Sequence, residues 1–138
     1  MKATLNIKAD IPVSGIFLDQ SVEVQKPGIY KAEITSVEKV GTNPDRLKVA
    51  YKLWDDQGTA YTYDEVFQCL PRNIRWKTFL GYINSKCLVT AGMDASALIG
   101  LQEIIQIEQN GPYMSVVQRM LCPKGFNTSD LGTIFFCD

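Results

Sequence analysis

Alternation of apolar and polar positions with a period of two dominates the chain from residue 28 to residue 68. In "KPGIYKAEITSVEKV", a turn at Pro27–Gly28 leads into Tyr30, Ala32 and Ile34 on one face and Lys31, Glu33 and Thr35 on the other. Successive strand side chains point to opposite sides, so this pattern predicts a half-buried antiparallel strand. "GTNPDR" interrupts it with the turn formers Gly41, Asn43, Pro44 and Asp45. "LKVAYKLW" resumes the alternation, with Leu47, Val49, Tyr51 and Leu53 against Lys48, Ala50, Lys52 and Trp54. "DDQG" marks a hairpin turn. "TAYTYDEVF" returns with Tyr61, Tyr63 and Phe67 on one face and Ala60, Thr62 and Val66 on the other.

The period changes in "PRNIRWKTFLGYINSK". Trp76, Phe79, Leu80 and Ile83 fall at i, i+3, i+4 and i+7, the apolar stripe of an amphipathic helix. Pro71 suits its first turn, and Gly81 weakens its far end, which predicts about three turns. "DASALIG" predicts a short helical turn capped by Asp94. "LQEIIQIEQ" and "YMSVVQRML" predict two further strands joined by the hairpin signal "NGP". Residues 1–24 read as an N-terminal arm and residues 122–138 as an irregular tail with an apolar end. Residues 1–138 therefore form one mainly β domain. Five strands with one helix between the third and fourth match the order of an OB-like five-stranded barrel over residues 25–121.

Several short motifs carry a resemblance. Pro27-Gly28-Ile29-Tyr30 opens the first strand, Asp56-Gln57-Gly58 turns the hairpin, Trp76 to Leu80 mark the helix, and Leu98-Ile99-Gly100 precede the last hairpin. In that order they resemble small bacteriophage proteins of replication and recombination modules, over roughly residues 25 to 121. The resemblance implies an OB-like, single-stranded DNA-binding protein, with replication or recombination proteins as further partners. Two features depart from the family pattern: the extra Gln57 in the turn, and a tail without a long acidic run.

Composition narrows the chemistry. The chain has 138 residues, a net charge of −1 and no histidine. Without histidine it lacks the commonest general base and the commonest metal ligand. We expect a protein without catalytic residues, metal or cofactor. Cys69, Cys87, Cys122 and Cys137 form no C-x-x-C pair, and suit reduced apolar fillers in a reducing cytoplasm. No apolar run has the length of a membrane helix, and the first ten residues lack the apolar core of a secretory signal, so the expected location is the cytoplasm, that of the host if the protein is phage-encoded.

The charge is unevenly spread. Residues 66–93 hold Arg72, Arg75, Lys77 and Lys86 and no acid, whereas the segments on either side are net acidic. Four cations without a local acid point to a polyanion; salt bridges to distant acids are the alternative. Non-specific single-strand binding needs cations along the phosphates and flat rings under the bases. Lys48, Lys52 and Trp54 on the second strand supply both. Tyr61 and Tyr63 on the third strand are further stacking candidates, although they share a face with Phe67. Arg46 beside the turn can reach a phosphate. Asp55 and Asp56 suit turn geometry, and Asp64 and Glu65 point to opposite faces, so neither pair suggests a metal-dependent nuclease. The expected function is sequence-non-specific binding of single-stranded DNA, with homo-oligomers formed through open strand edges. The alternative is a protein-interaction module, such as a phage inhibitor or adaptor of a host protein.

Overall fold

The structure is a computed structural model and describes residues 22–42, 45–85 and 95–136. The expectations for residues 1–21, Asn43, Pro44, Lys86, Cys87, Asp94 and Cys137 lie outside the described residues. Five strands run in chain order as β1 (Gly28–Thr42), β2 (Asp45–Trp54), β3 (Ala60–Gln68), β4 (Gln102–Asn110) and β5 (Tyr113–Leu121). The helix α1 (Ile74–Ser85) lies between β3 and β4. The strands form one open antiparallel sheet in the order β3-β2-β1-β4-β5. The protein is mainly β.

The alternation places the faces as expected. Leu47, Val49, Tyr51 and Leu53 of β2 are buried, and so are Tyr30, Ala32 and Ile34 of β1. The buried phase of β1 then shifts by one residue, to Val37. The β4–β5 hairpin turns on Gly111, whose φ of 62° is left-handed, and Pro112. A positive φ at the first central residue and proline at the second suit a type II′ turn, which matches the twist of paired strands.

The chain divides into two compact units. The described residues of the first are 35–42, 45–50, 64–85 and 95–99. Its core is aromatic. Trp76, Phe79 and Ile83 face inward from α1, and the Phe79 ring stacks on Phe67 with centroids 4.6 Å apart. Burying each such side chain contributes about 1.5–3 kcal/mol, and each ring pair a further ~0.5–1.5 kcal/mol. The helix starts later than the sequence predicts. Pro71 and Arg72 form a turn, and Asn73 caps α1 by accepting the Trp76 N–H at 3.0 Å.

The described residues of the second unit are 22–34, 51–63 and 100–136. Val24, Tyr30, Ile34, Leu53, Ile105 and Ile107 belong to its core. Within that core is a polar cluster. Glu103 is fully buried, with Arg119 Nη1 3.5 Å from its Oε2, and Arg119 Nη1 also donates to the Tyr51 hydroxyl at 3.2 Å. A bulge aims this arginine. Gln106 pairs with Gln118 and Ile107 with Val116, which leaves Val117 as the extra residue. A one-residue slip inverts every later side chain, and so Arg119 faces the Ile105 side. Residues 22–24 lie along β3: Val24 donates to Thr62 O at 2.9 Å and Thr62 donates to Val22 O at 2.8 Å. The tail is more ordered than the sequence suggests. Residues Thr128–Thr133 form a 3-10 helix that buries Leu131.

Candidate nucleic-acid interface

In the second unit, the face of β2 opposite Tyr51 and Leu53 carries Lys52 and Trp54. Both are half-buried. The Lys52 ammonium stands 5.1 Å from the Trp54 ring centroid. A second ammonium approaches the same ring, that of Lys31 on the neighbouring strand β1, at 5.9 Å. Each cation is attracted by the negative face of the indole. The result is a flat ring with two positive charges over it, on a sheet face. Sequence reasoning placed Lys31 only on the polar face of its own strand; its approach to Trp54 depends on strand order.

The two tyrosines of β3 do not join this cluster. Tyr63 is 8% exposed, packs against Tyr51 with centroids 6.0 Å apart, and donates its hydroxyl to Met114 O at 3.0 Å. It lies on the inward side of the sheet, opposite Lys52 and Trp54. Tyr61 is half-buried and meets Tyr30 edge-on at 6.1 Å. Its hydroxyl donates to Asp55 Oδ2 at 2.9 Å. Tyr61 and Tyr63 are therefore not stacking platforms beside Lys52 and Trp54: ring packing and hydrogen bonds engage both tyrosines.

Asp55 organises the β2–β3 turn. Its Oδ1 accepts the N–H groups of Gln57 and Thr59, both at 2.9 Å. Burial alone would raise its pKa. The hydrogen bonds from Thr59, Tyr61 and Gln57, with Lys26 nearby, outweigh that and hold it below the usual value. The bond to Asp55, and then burial, push the Tyr61 phenol up. Beside this turn a cleft of about 470 Å³ opens, lined among others by Lys26, Gly28, Tyr30, Gln57, Tyr61 and Leu131. Nothing in the sequence pattern signals it, because it forms between a turn, a strand start and the tail.

The first unit holds the other candidates. Arg46 is exposed, and the neighbouring carboxylate, Asp45, pairs with Lys39 at 3.6 Å. Lys48 lies 3.5 Å from Asp64 in an exposed pair, an interaction worth about 0–1 kcal/mol and easily exchanged. Arg75 has a structural role. Its guanidinium donates to Glu65 Oε2 at 3.0 Å and lies over the Phe67 ring at 5.5 Å, and the Glu65 side chain is only 2% exposed. The expectation of four unpaired cations is corrected at Arg75, whose acid lies ten residues earlier on β3. Arg72 and Lys77 are exposed and form no ion pair among the described residues. Asp64 points out to Lys48 while Glu65 points in to Arg75, so the two carboxylates do not converge. Among the described residues, no group of three or more potential metal ligands gathers, and no helix is long and apolar enough to cross a membrane.

No family model matches the chain, and searches of curated proteins and of solved structures likewise find no match.

Proposed function

We propose that the protein binds single-stranded DNA without sequence preference and without catalysis, in a phage replication or recombination module. One observation carries this: two ammonium groups, Lys31 and Lys52, stand over the half-buried Trp54 indole on a sheet face. Stacking a base on such a ring is worth about 1–3 kcal/mol and tolerates any sequence, while adjacent cations attract the phosphates. The strand order β3-β2-β1-β4-β5, with the helix between β3 and β4, supports an OB-like barrel opened between β3 and β5. The Tyr63–Met114 bond, from β3 to β5, favours the same arrangement. Replication or recombination proteins and further copies of the chain are the partners this function implies, in the cytoplasm of the host.

Anisotropy of a labelled oligo(dT), titrated at low and at moderate salt, tests the proposal. Binding that weakens steeply with salt and drops about 5- to 150-fold in Trp54→Ala, the equivalent of one lost stacked base, supports it. No binding at roughly 100 µM protein, the weak end of non-specific affinity, rejects it. A second function, a protein-interaction module, draws on Tyr113, which is 72% exposed, and Phe135, which is 86% exposed. Exposed rings of this size mark protein contacts when they belong to one patch.

A further inference from the structure

The cleft of about 470 Å³ opens at the end of the sheet where β1 and β3 begin and β2 ends. Small-ligand sites usually span roughly 300–1,000 Å³. All its lining residues belong to the second unit. It adjoins the proposed stacking site: Asp55 follows Trp54 in the chain, and Tyr30 precedes Lys31.

Hydrogen bonds tie its walls together. The Tyr30 hydroxyl donates to Lys26 O at 2.6 Å, and the Tyr61 hydroxyl donates to Asp55 Oδ2 at 2.9 Å. Asp55 Oδ1 accepts the N–H groups of Gln57 and Thr59. Both phenol hydrogens are thus spent within the wall. What Tyr30, Tyr61 and Asp55 can still offer a ligand is acceptor oxygens, since a carboxylate has about four acceptor sites. Lys26 and Gln57 line the same cleft and bring side-chain donors. Pro27 and Ile29 add apolar surface.

This set discriminates between ligand classes. A cation would meet the Lys26 ammonium in the cleft and those of Lys31 and Lys52 on the adjoining Trp54 face. An anion would meet Asp55 and Asp56. A neutral planar base fits, with its phosphate drawn to the lysines, when its edge brings an N–H group to the acceptor oxygens. Cytosine, adenine and guanine carry an exocyclic amino group, whereas thymine and uracil present a carbonyl oxygen where cytosine has its amino group. We infer that the cleft takes one amino-bearing base of the bound single strand, next to the nucleotide stacked on Trp54. The inference rests on the nucleic-acid binding proposed above, and adds a base preference at one nucleotide to sequence-tolerant stacking.

Anisotropy competition between oligo(dC) and oligo(dU) of equal length tests it on the full chain, because the two differ at the base edge and not by a methyl group. Oligo(dC) should bind about five-fold or more tighter, the lower end of what one good base-edge contact is worth. Gly132→Leu adds bulk to the cleft wall, at a position where a Cβ meets no other atom within 4 Å. It should bring the two affinities together by weakening oligo(dC) alone, whereas Trp54→Ala should weaken both alike. Equal affinities for the unaltered chain overturn the role of the cleft and leave nucleic-acid binding standing. So does a preference that Gly132→Leu leaves intact. If neither oligonucleotide binds, the functional proposal fails and the base site falls with it. Should Gly132→Leu fail to fold, amide NMR of the unaltered chain decides. Oligo(dC) should move the Gly28, Gln57 and Gly132 signals more than oligo(dU) does, and signals that move alike overturn the inference. Free dCMP separates the other source of the same chemistry: if it moves these signals while the two oligonucleotides bind equally, the cleft is a free-nucleotide site and holds no base of the strand.

Discussion

The Tyr63 hydroxyl donates to the carbonyl of Met114 at 3.0 Å, joining residues 51 positions apart in the chain. A ring buried against Tyr51 and tethered in this way is part of the core and cannot lie under a base. Tyr63→Phe should therefore cost about 1 kcal/mol, the net worth of one hydrogen bond, in a urea unfolding series. Tyr63→Ala should cost about 3–5 kcal/mol, as aromatic truncations in cores do. Neither should alter the salt dependence of oligo(dT) binding. A changed slope in Tyr63→Phe, with stability intact, would place this ring in the interface after all.

Arg75 and its neighbours separate a structural cation from solvated ones. Arg75→Ala removes a charge-assisted bond to the buried Glu65 carboxylate and a contact on Phe67. The expected loss is about 1.5–3 kcal/mol of unfolding free energy. Arg72→Ala and Lys77→Ala touch no such feature and should stay within about 0.5 kcal/mol of the unaltered protein. Equal stability across the three variants would remove the structural role given to Arg75.

The contrast between these cations also shows what the sequence can carry. Faces within a strand are legible, because burial on one side imposes a period of two. Leu47, Val49, Tyr51 and Leu53 are inward as the alternation requires. The inward stripe of α1 is legible for the same reason at a period of 3.6. Relations between strands are not written locally. That Lys31 meets Trp54, and that Tyr63 turns to the side opposite Trp54, depends on strand order and register. Arg119 faces the core because a bulge at Val117 inverts the phase of β5, and no residue in "YMSVVQRML" announces a bulge. The alternation of β3 puts Glu65 on the face of Tyr63 and Phe67, but nothing local says that α1 brings Arg75 to it. The candidate interface was thus half legible: Lys52 and Trp54 from one strand, but neither their partner Lys31 nor the withdrawal of Tyr63.

Asp55 gives the fold a dependence on acid. Its pKa is held below 3.8 because, although burial opposes it, the N–H groups of Thr59 and Gln57 and the Tyr61 hydroxyl bind the carboxylate. A carboxylate with a depressed folded pKa contributes stability above its ordinary pKa, and that contribution is lost as pH falls through the folded value. The stability difference between the unaltered protein and Asp55→Asn should therefore be constant near neutrality and shrink as pH drops below 3.8. Tyr61→Phe removes one donor and should move the Asp55 titration upward, as followed by carboxyl NMR. An Asp55 titration that does not respond to Tyr61→Phe would show that the hydroxyl bond does not hold the carboxylate.

Cys69 should behave as an unreactive thiol. Burial first, and then the negative charge of Asp45, push its pKa to about 11, against a smaller opposing bond from the Leu47 backbone. Only the thiolate attacks an alkylating agent. At about pH 8, a thiol with that pKa has roughly 100-fold less thiolate than one at the ordinary 9.0. Iodoacetamide labelling followed by peptide mass spectrometry should find Cys69 slower than a free cysteine peptide by that order. Asp45→Asn removes the repelling charge and should speed the reaction, while urea unfolding should restore the peptide rate. Labelling of the folded protein at the peptide rate would show that Cys69 is neither buried nor held by its neighbours as described.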